Sequence, residues 1–219
     1  MTTNGFYPIT LVDKTREYDD VHTLRFESAE PIPFVPGQYV HLLAPASPPG
    51  RENVRHLSIA SIPEEGPLRF TVDLAPGSEY KKKLAALEPG GLAHLFKVKG
   101  EFVLPDPVPA QAIFLAGGLG ITPVRALVQQ ILQQRLPVEW RLVHVARGPF
   151  LYEQEIKSWG GTQVRLRRTE VEPLVSAWVS EWPSAAYFVS GSSRFVEGIT
   201  SLLKNQGIKD EVIRVEDFH

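Results

Sequence analysis

The sequence predicts two domains: an antiparallel β-barrel, then an α/β domain built on a parallel sheet. Three observations lead there. Short segments of alternating apolar and polar residues fill the first half of the chain. Leu104-Pro105-Asp106-Pro107-Val108-Pro109 then packs three prolines into six residues, the composition of a stiff linker. Beyond it, apolar runs of strand length alternate with segments of helical periodicity, the pattern of repeated βαβ units. A chain of 219 residues suits two domains of about 100–120 residues each. The boundary is expected at 105/106, giving domains 1–105 and 106–219.

In the first domain, strands are predicted at Phe6–Val12, Val21–Phe26, Tyr39–Leu43, Val54–Ile59, Leu68–Leu74 and Gly91–Val98, with Pro36-Gly37 and Pro63–Pro67 as turns. Strands at this spacing suit an antiparallel barrel. One helix interrupts them. Ser78 is its expected N-cap, Tyr80, Leu84 and Leu87 line one face, and Pro89-Gly90 stops it. In the second domain, strands are predicted at Ala112–Ala116, Glu139–Val145, Thr162–Arg167, Ala186–Ser190 and Glu211–Val215. Helices are predicted at Val124–Gln134, around Phe150–Trp159, and at Pro173–Ser180 and Ser193–Asn205. Ligands of such sheets sit at the carboxyl ends of the strands. Those ends are Gly117–Thr122, Ala146-Arg147-Gly148 and Ser190-Gly191-Ser192.

Composition narrows the chemistry. Hydrophobic residues make up 43% and charged residues 22%, ordinary for a globular protein. A net charge of −2 argues against a nucleic-acid partner. The longest apolar stretch, near Ala112–Val124, is too short to span a bilayer and is broken by glycines. Met1–Gly5 has neither a basic region nor an apolar core, so no secretory signal is predicted and a cytoplasmic location is expected. The absence of cysteine excludes a thiolate iron–sulfur cluster, a cysteine zinc site, a disulfide and a cysteine nucleophile. The six histidines are scattered, so no metal site is expected. Any redox chemistry must rest on an organic cofactor.

The densest signal is Gly117-Gly118-Leu119-Gly120-Ile121-Thr122-Pro123, lying between a predicted strand and a predicted helix. Strand, glycine turn and helix bring bare backbone N–H groups and a positive helix end to a phosphate. The segment is neither G-x-G-x-x-G nor a Walker loop. It predicts a nucleotide or dinucleotide site of another type.

This order of barrel, proline linker and glycine-turn α/β domain resembles the ferredoxin–NADP reductase superfamily over about residues 5–218. The resemblance implies a flavin-binding barrel and a pyridine-nucleotide domain. Arg55-His56-Leu57-Ser58 is similar to the family's Arg-x-Tyr-Ser/Thr flavin motif. It implies Arg55 on the flavin phosphate, Leu57 in the place of the ring-covering aromatic, and Ser58 near flavin N5. Arg suits phosphate as a charged, fork-shaped donor. Pro36-Gly37-Gln38-Tyr39 upstream is also family-like, and His56 and Val72 complete the expected barrel contacts. Gly77-Ser78 resembles the second flavin-phosphate element. The resemblance implies Gly117, Gly118 and Gly120 at the dinucleotide pyrophosphate and Thr122 near the nicotinamide.

Ser190-Gly191-Ser192 stands where the family usually has Cys-Gly-Pro, which puts Ser190 beside the nicotinamide. Near the end of the chain, Glu216 and Phe218 match Glu-x-aromatic, implying a proton relay and a ring shielding the flavin. The implied catalytic residues are Ser58, Ser190 and Glu216. The implied activity is hydride transfer from NADPH or NADH to FAD (FMN less favoured), with electrons passing to a ferredoxin, a flavodoxin or an oxygenase component. Arg147 and Arg168, with Arg165 and Arg167, lean the choice slightly to NADPH. Two other readings stay open: a flavin-binding subunit or sensor with little turnover, and a reductase of free flavin.

Overall fold

The computed structural model describes residues 6–160, 162–166 and 170–218. The chain divides into two compact units, Met1–Val103 and Leu104–His219.

The first unit is a six-stranded antiparallel sheet. Its strands are β1 (Tyr7–Tyr18), β2 (Val21–Glu27), β3 (Tyr39–Leu43), β4 (Val54–Ser58), β5 (Leu68–Asp73) and β6 (Leu92–Lys99), in the order β4-β3-β6-β1-β2-β5. β1 runs well past the predicted end at Val12. Register shifts at Leu11/Asp13 and Arg16/Tyr18 let its polar second half stay paired with β2. The two sheet edges meet where the Ala60 N–H donates to the Arg69 carbonyl at 2.8 Å and the Ser61 hydroxyl accepts from the Arg69 N–H at 3.0 Å. The interior is filled by inward-facing residues such as Leu24, Phe26, Val40, Leu42, Phe70 and Leu95, all fully buried. Helix α1 (Glu79–Ala85) packs Tyr80 and Leu84 into that core. Ser78 caps it, accepting the Lys81 N–H at 3.3 Å.

In the second unit all five strands are parallel, in the order β11-β10-β7-β8-β9. They are β7 (Gln111–Gly117), β8 (Glu139–Val145), β9 (Thr162–Leu166), β10 (Ala186–Ser192) and β11 (Ile213–Phe218). Helices α2 (Ile121–Gln133), α3 (Glu153–Ser158), α4 (Val171–Glu181) and α5 (Ser193–Asn205) connect them. Ala112–Ala116 of β7 has no exposed residue, as expected of a central parallel strand covered on both faces. The order steps one way from β7 to β9 and then returns to the other side of β7 with β10. The neighbours β7 and β10 therefore flank the switch point where open α/β sheets bind ligands.

Two boundary shifts in this unit bear on the site. α2 begins at Ile121, not Val124, because Pro123 lies in the first turn, where its missing N–H has no helical partner to lose. β11 extends to Phe218 and pairs with β10 throughout, so Glu216 and Phe218 belong to a strand rather than a frayed tail.

Gly198 is an exposed glycine inside α5, and a Cβ there would meet nothing within 4 Å. Gly198→Ala is expected to stabilise the protein by about 0.5–1 kcal/mol, read as a higher urea midpoint at unchanged slope.

Candidate functional site

In the second unit, the turn after β7 is braced by its own surroundings. Its three carbonyls are each held by a side chain from a different element. His144 Nε2, on β8, lies 3.0 Å from the Gly118 carbonyl. A carbonyl can only accept, so this ring carries its proton on Nε2. The Thr122 hydroxyl, on α2, donates to the Leu119 carbonyl at 2.9 Å. The Ser190 hydroxyl, on β10, donates to the Gly120 carbonyl at 2.6 Å. With its acceptors drawn into the protein, the turn is left to present backbone donors at the N-terminus of α2, the requirement for an anion.

The glycines differ in their reasons. A Cβ on Gly120 would stand 2.2 Å from the Ser190 carbonyl oxygen, and one on Gly117 would strike the Phe195 ring at 2.7 Å. A Cβ on Gly191 (φ +148°) would lie 2.9 Å from the Gly117 carbonyl oxygen. These three permit close approach of β7, the turn and β10. Gly118 alone faces open space, and its φ of +55° needs a residue at home in the left-handed region.

Thr122 and Ser190, expected near the nicotinamide, are 3% and 0% exposed, and their hydroxyl protons go to turn carbonyls. Their first task is to shape the turn. Serine suits it because its O–H is a good hydrogen-bond donor, far better than an S–H. His144 escaped the sequence reading, which counted it only among scattered histidines. Its place at the carboxyl end of β8 was the available signal.

Strand register sets Glu216 directly opposite Ser190, and Phe218 opposite Ser192. Burial, then the charge of Asp217, raises the Glu216 carboxyl from the ordinary carboxylate range to about 7. Asp217 is held by Ser193, whose hydroxyl donates to it at 2.8 Å. Between the ordinary carboxylate value of 4.5 and about 7, the folded chain holds a proton at Glu216 that the unfolded chain has released. Stability therefore falls as pH rises through that window, and Glu216→Gln should flatten the decline. Urea midpoints of both proteins at pH 5 and pH 8 measure it; equal slopes would refute the assignment.

Arg147 is exposed at the carboxyl end of β8, free to meet a ligand anion. Arg167 and Arg168 lie outside the described residues; for Arg165 only its backbone place in β9 is described.

In the first unit, β4 carries the expected motif. Arg55 and Leu57 stand opposite Leu42 and Val40; His56 and Ser58 stand opposite His41 and Tyr39. Arg55 is exposed, and its Nη1 donates to the carbonyls of Val54, Arg51 and Glu52 at 2.7, 3.2 and 3.4 Å. Ser58 is 7% exposed, and its Oγ has no hydrogen-bond partner among the described residues. A buried orphan hydroxyl is costly, and a ligand that pairs with it relieves the cost. His56 joins an outer ladder of rings, 5.2 Å from Tyr39 and 4.1 Å from His41. Burial, with the neighbouring charges of His56, Lys97 and Lys99, lowers His41 to about 4. Gly77 is exposed ahead of the cap Ser78. Val72 is a core residue of the barrel, 7% exposed, and Leu57 packs partly buried against the same core. A branched aliphatic side chain on an inward-facing strand position is drawn to apolar neighbours.

Among the described residues no cluster of three or more His, Cys, Asp or Glu side chains could hold a metal, and no helix is long and apolar enough to cross a membrane.

Comparison with known proteins agrees with this layout. Residues 114–201 match the family model described as oxidoreductase NAD-binding domain. The chain is 29% identical over 229 residues to ferredoxin–NADP reductase B of Sorangium cellulosum, covering 90% of this chain and 91% of that one. It is 23% identical over 237 residues to the flavohemoprotein of Pseudomonas putida, spanning 98% of this chain but 59% of that longer protein. In fold it is similar to the crystal structure of the cytochrome P450 reductase GcoB of Amycolatopsis, with a TM-score of 0.81 at 23% identity, over 100% of this chain and 72% of that one.

Proposed function

The chain belongs to the ferredoxin–NADP reductase superfamily of NAD(P)H-dependent flavoprotein reductases, and from that premise we propose that it takes a hydride from NAD(P)H onto FAD and delivers the electrons to an acceptor protein. The acceptor class is a ferredoxin, a flavodoxin or an oxygenase component. The observation that carries the reading is the braced turn, with three consecutive carbonyls drawn inward at the β7–β10 switch point.

The residues present fit both cofactors. Gly118 and the backbone donors beside it hold the pyrophosphate of the dinucleotide, and Arg147 supplies a cation for the remainder. Arg55 binds the flavin phosphate, supported by Gly77 and Ser78, and the orphaned Ser58 hydroxyl offers a polar contact to the ring system. Bound flavin supplies a two-electron centre that accepts hydride and releases electrons onward. The protein's own contribution is position and proton handling. Ser190, His144 and Thr122 keep the turn from collapsing when anionic charge arrives. Glu216, titrating near neutrality, holds or releases a proton at its carboxyl oxygen at physiological pH. Arg147 favours NADPH over NADH, since a 2′-phosphate calls for an arginine.

A second reading, reduction of free flavin, is favoured by one observation: Leu57 packs against the barrel core and offers no aromatic ring for a flavin to rest on. Anaerobic spectroscopy of the purified protein separates the two. A yellow protein bleached rapidly by NADPH supports the bound-flavin reductase. A colourless protein that oxidises NADPH only with added flavin supports the second reading. A yellow protein that neither NADPH nor NADH reduces refutes both.

A further inference from the structure

We propose that Tyr80 is a positioning residue for the flavin phosphate, acting through Arg55; the inference rests on the flavin reading above and extends it to a residue that no motif singles out. An exposed arginine ordinarily samples many rotamers, and fixing one opposes binding. Here two features fix Arg55 beforehand. The carbonyls of Arg51 and Glu52 in the 51–53 turn, and of Val54 at the start of β4, all accept from a single nitrogen, Nη1. The guanidinium carbon also lies 5.0 Å from the centroid of the Tyr80 ring, a cation–π contact. Among the described residues Nε and Nη2 carry no hydrogen-bond partner. One corner of the guanidinium is thus tied to the turn and one face to the ring, leaving an N–H edge for phosphate oxygens.

Tyr80 is suited to this by its own anchorage. It is the second residue of α1, 3% exposed, and built into the barrel core beside Leu84. Ser78 caps the same helix, so the ring is carried by a fixed backbone. The Tyr80 hydroxyl is buried without a hydrogen-bond partner, and burial raises its pKa, so it stays a neutral phenol and forms no anion to compete for Arg55. The ring is what the site uses; the hydroxyl is dispensable.

Riboflavin lacks the phosphate that FMN and FAD share, so comparing the three isolates a contribution made through Arg55. The flavin-stripped full-length chain is titrated with each, following flavin fluorescence. Tyr80→Leu is expected to weaken FMN and FAD about threefold to tenfold and to leave riboflavin unchanged. Tyr80→Phe should match the wild type for all three. In the Arg55→Ala background, Tyr80→Leu should add no further loss. If Tyr80→Leu does not fold, Arg55→Lys carries the test: lysine keeps the charge but loses the stacked fork, and the same loss confined to FMN and FAD is expected. A Tyr80→Leu loss that extends equally to riboflavin, or that adds to Arg55→Ala, overturns the role of Tyr80 alone. A wild-type chain that binds none of the three flavins overturns the flavin reading and this inference with it.

Discussion

Glu155→Ala is expected to destabilise the protein by about 3 kcal/mol, the lower end of the range for breaking a buried ion pair, because Arg125 is buried while Glu155 is partly exposed. Arg125 lies on α2 with its side chain 1% exposed. Its Nε donates to Glu155 Oε2 at 3.0 Å and its Nη2 to Glu155 Oε1, a two-point grip that locks α2 to α3. Gln129 donates to the same Oε1 at 3.3 Å, and the Tyr152 ring lies 5.6 Å from the guanidinium carbon. Without the carboxylate, a guanidinium held away from water loses this two-point ionic contact. For a chain of this size the melting temperature should fall on the order of 10 °C. The double variant Arg125→Met/Glu155→Leu should recover much of that loss, because matched apolar replacements remove the charge as well as its partner. α2 follows the glycine turn and α3 follows the loop that carries Arg147. Glu155→Ala is therefore also expected to raise KM for NADPH more than it lowers kcat. A melting temperature within 2 °C of wild type would contradict the account, since a change that small answers to only about 1 kcal/mol.

Gly120→Ala is the second large effect, and it tests space rather than conformation. Gly120 has a φ of −58°, which any residue adopts. The added Cβ would lie 2.2 Å from the Ser190 oxygen, 2.5 Å from its carbonyl carbon and 2.7 Å from the Gly191 nitrogen, all backbone atoms of β10. Relief requires the turn and β10 to part, which breaks the bond from the Ser190 hydroxyl to the Gly120 carbonyl. Overpacking of this kind costs about 1–3 kcal/mol, and the added loss of a buried hydrogen bond places the expected value at the upper end. Dinucleotide affinity should fall at least tenfold in equilibrium titration. Gly118→Ala is the control. It meets no atom within 4 Å and carries only the strain of φ +55°, about 1–2 kcal/mol, less for Gly118→Asn. Equal dinucleotide affinity for Gly120→Ala and wild type would remove the packing explanation.

The barrel and the parallel sheet are both legible in the sequence, because each obeys a short-range rule. Alternation betrays a strand with one buried face, and an unbroken apolar run such as Ala112–Ala116 betrays one buried on both. The glycine turn was readable because its composition is rare and lies at a strand–helix junction. Arg125 was not, since nothing in a helical pattern marks a charge for burial; the carboxylate that permits it sits 30 residues away. The packing of Val72 in the barrel core, and of Leu57 against it, was not legible either. Alternation gives the parity of a strand residue, and only the curvature of the closed sheet shows which parity faces the core.

From its residues alone, the chain is two domains with a flavin-type barrel motif and a phosphate-type turn, with cysteine chemistry excluded. Those properties reside in local pattern and in composition. Tertiary structure decided what each motif residue touches. It turned Ser190 and Thr122 into braces of the turn, added His144 to them, set Glu216 opposite Ser190 and placed Tyr80 beneath Arg55. Each of these contacts joins residues that belong to different secondary-structure elements or to a turn beside one. Their meeting depends on strand order, register and helix docking, which a local pattern does not encode.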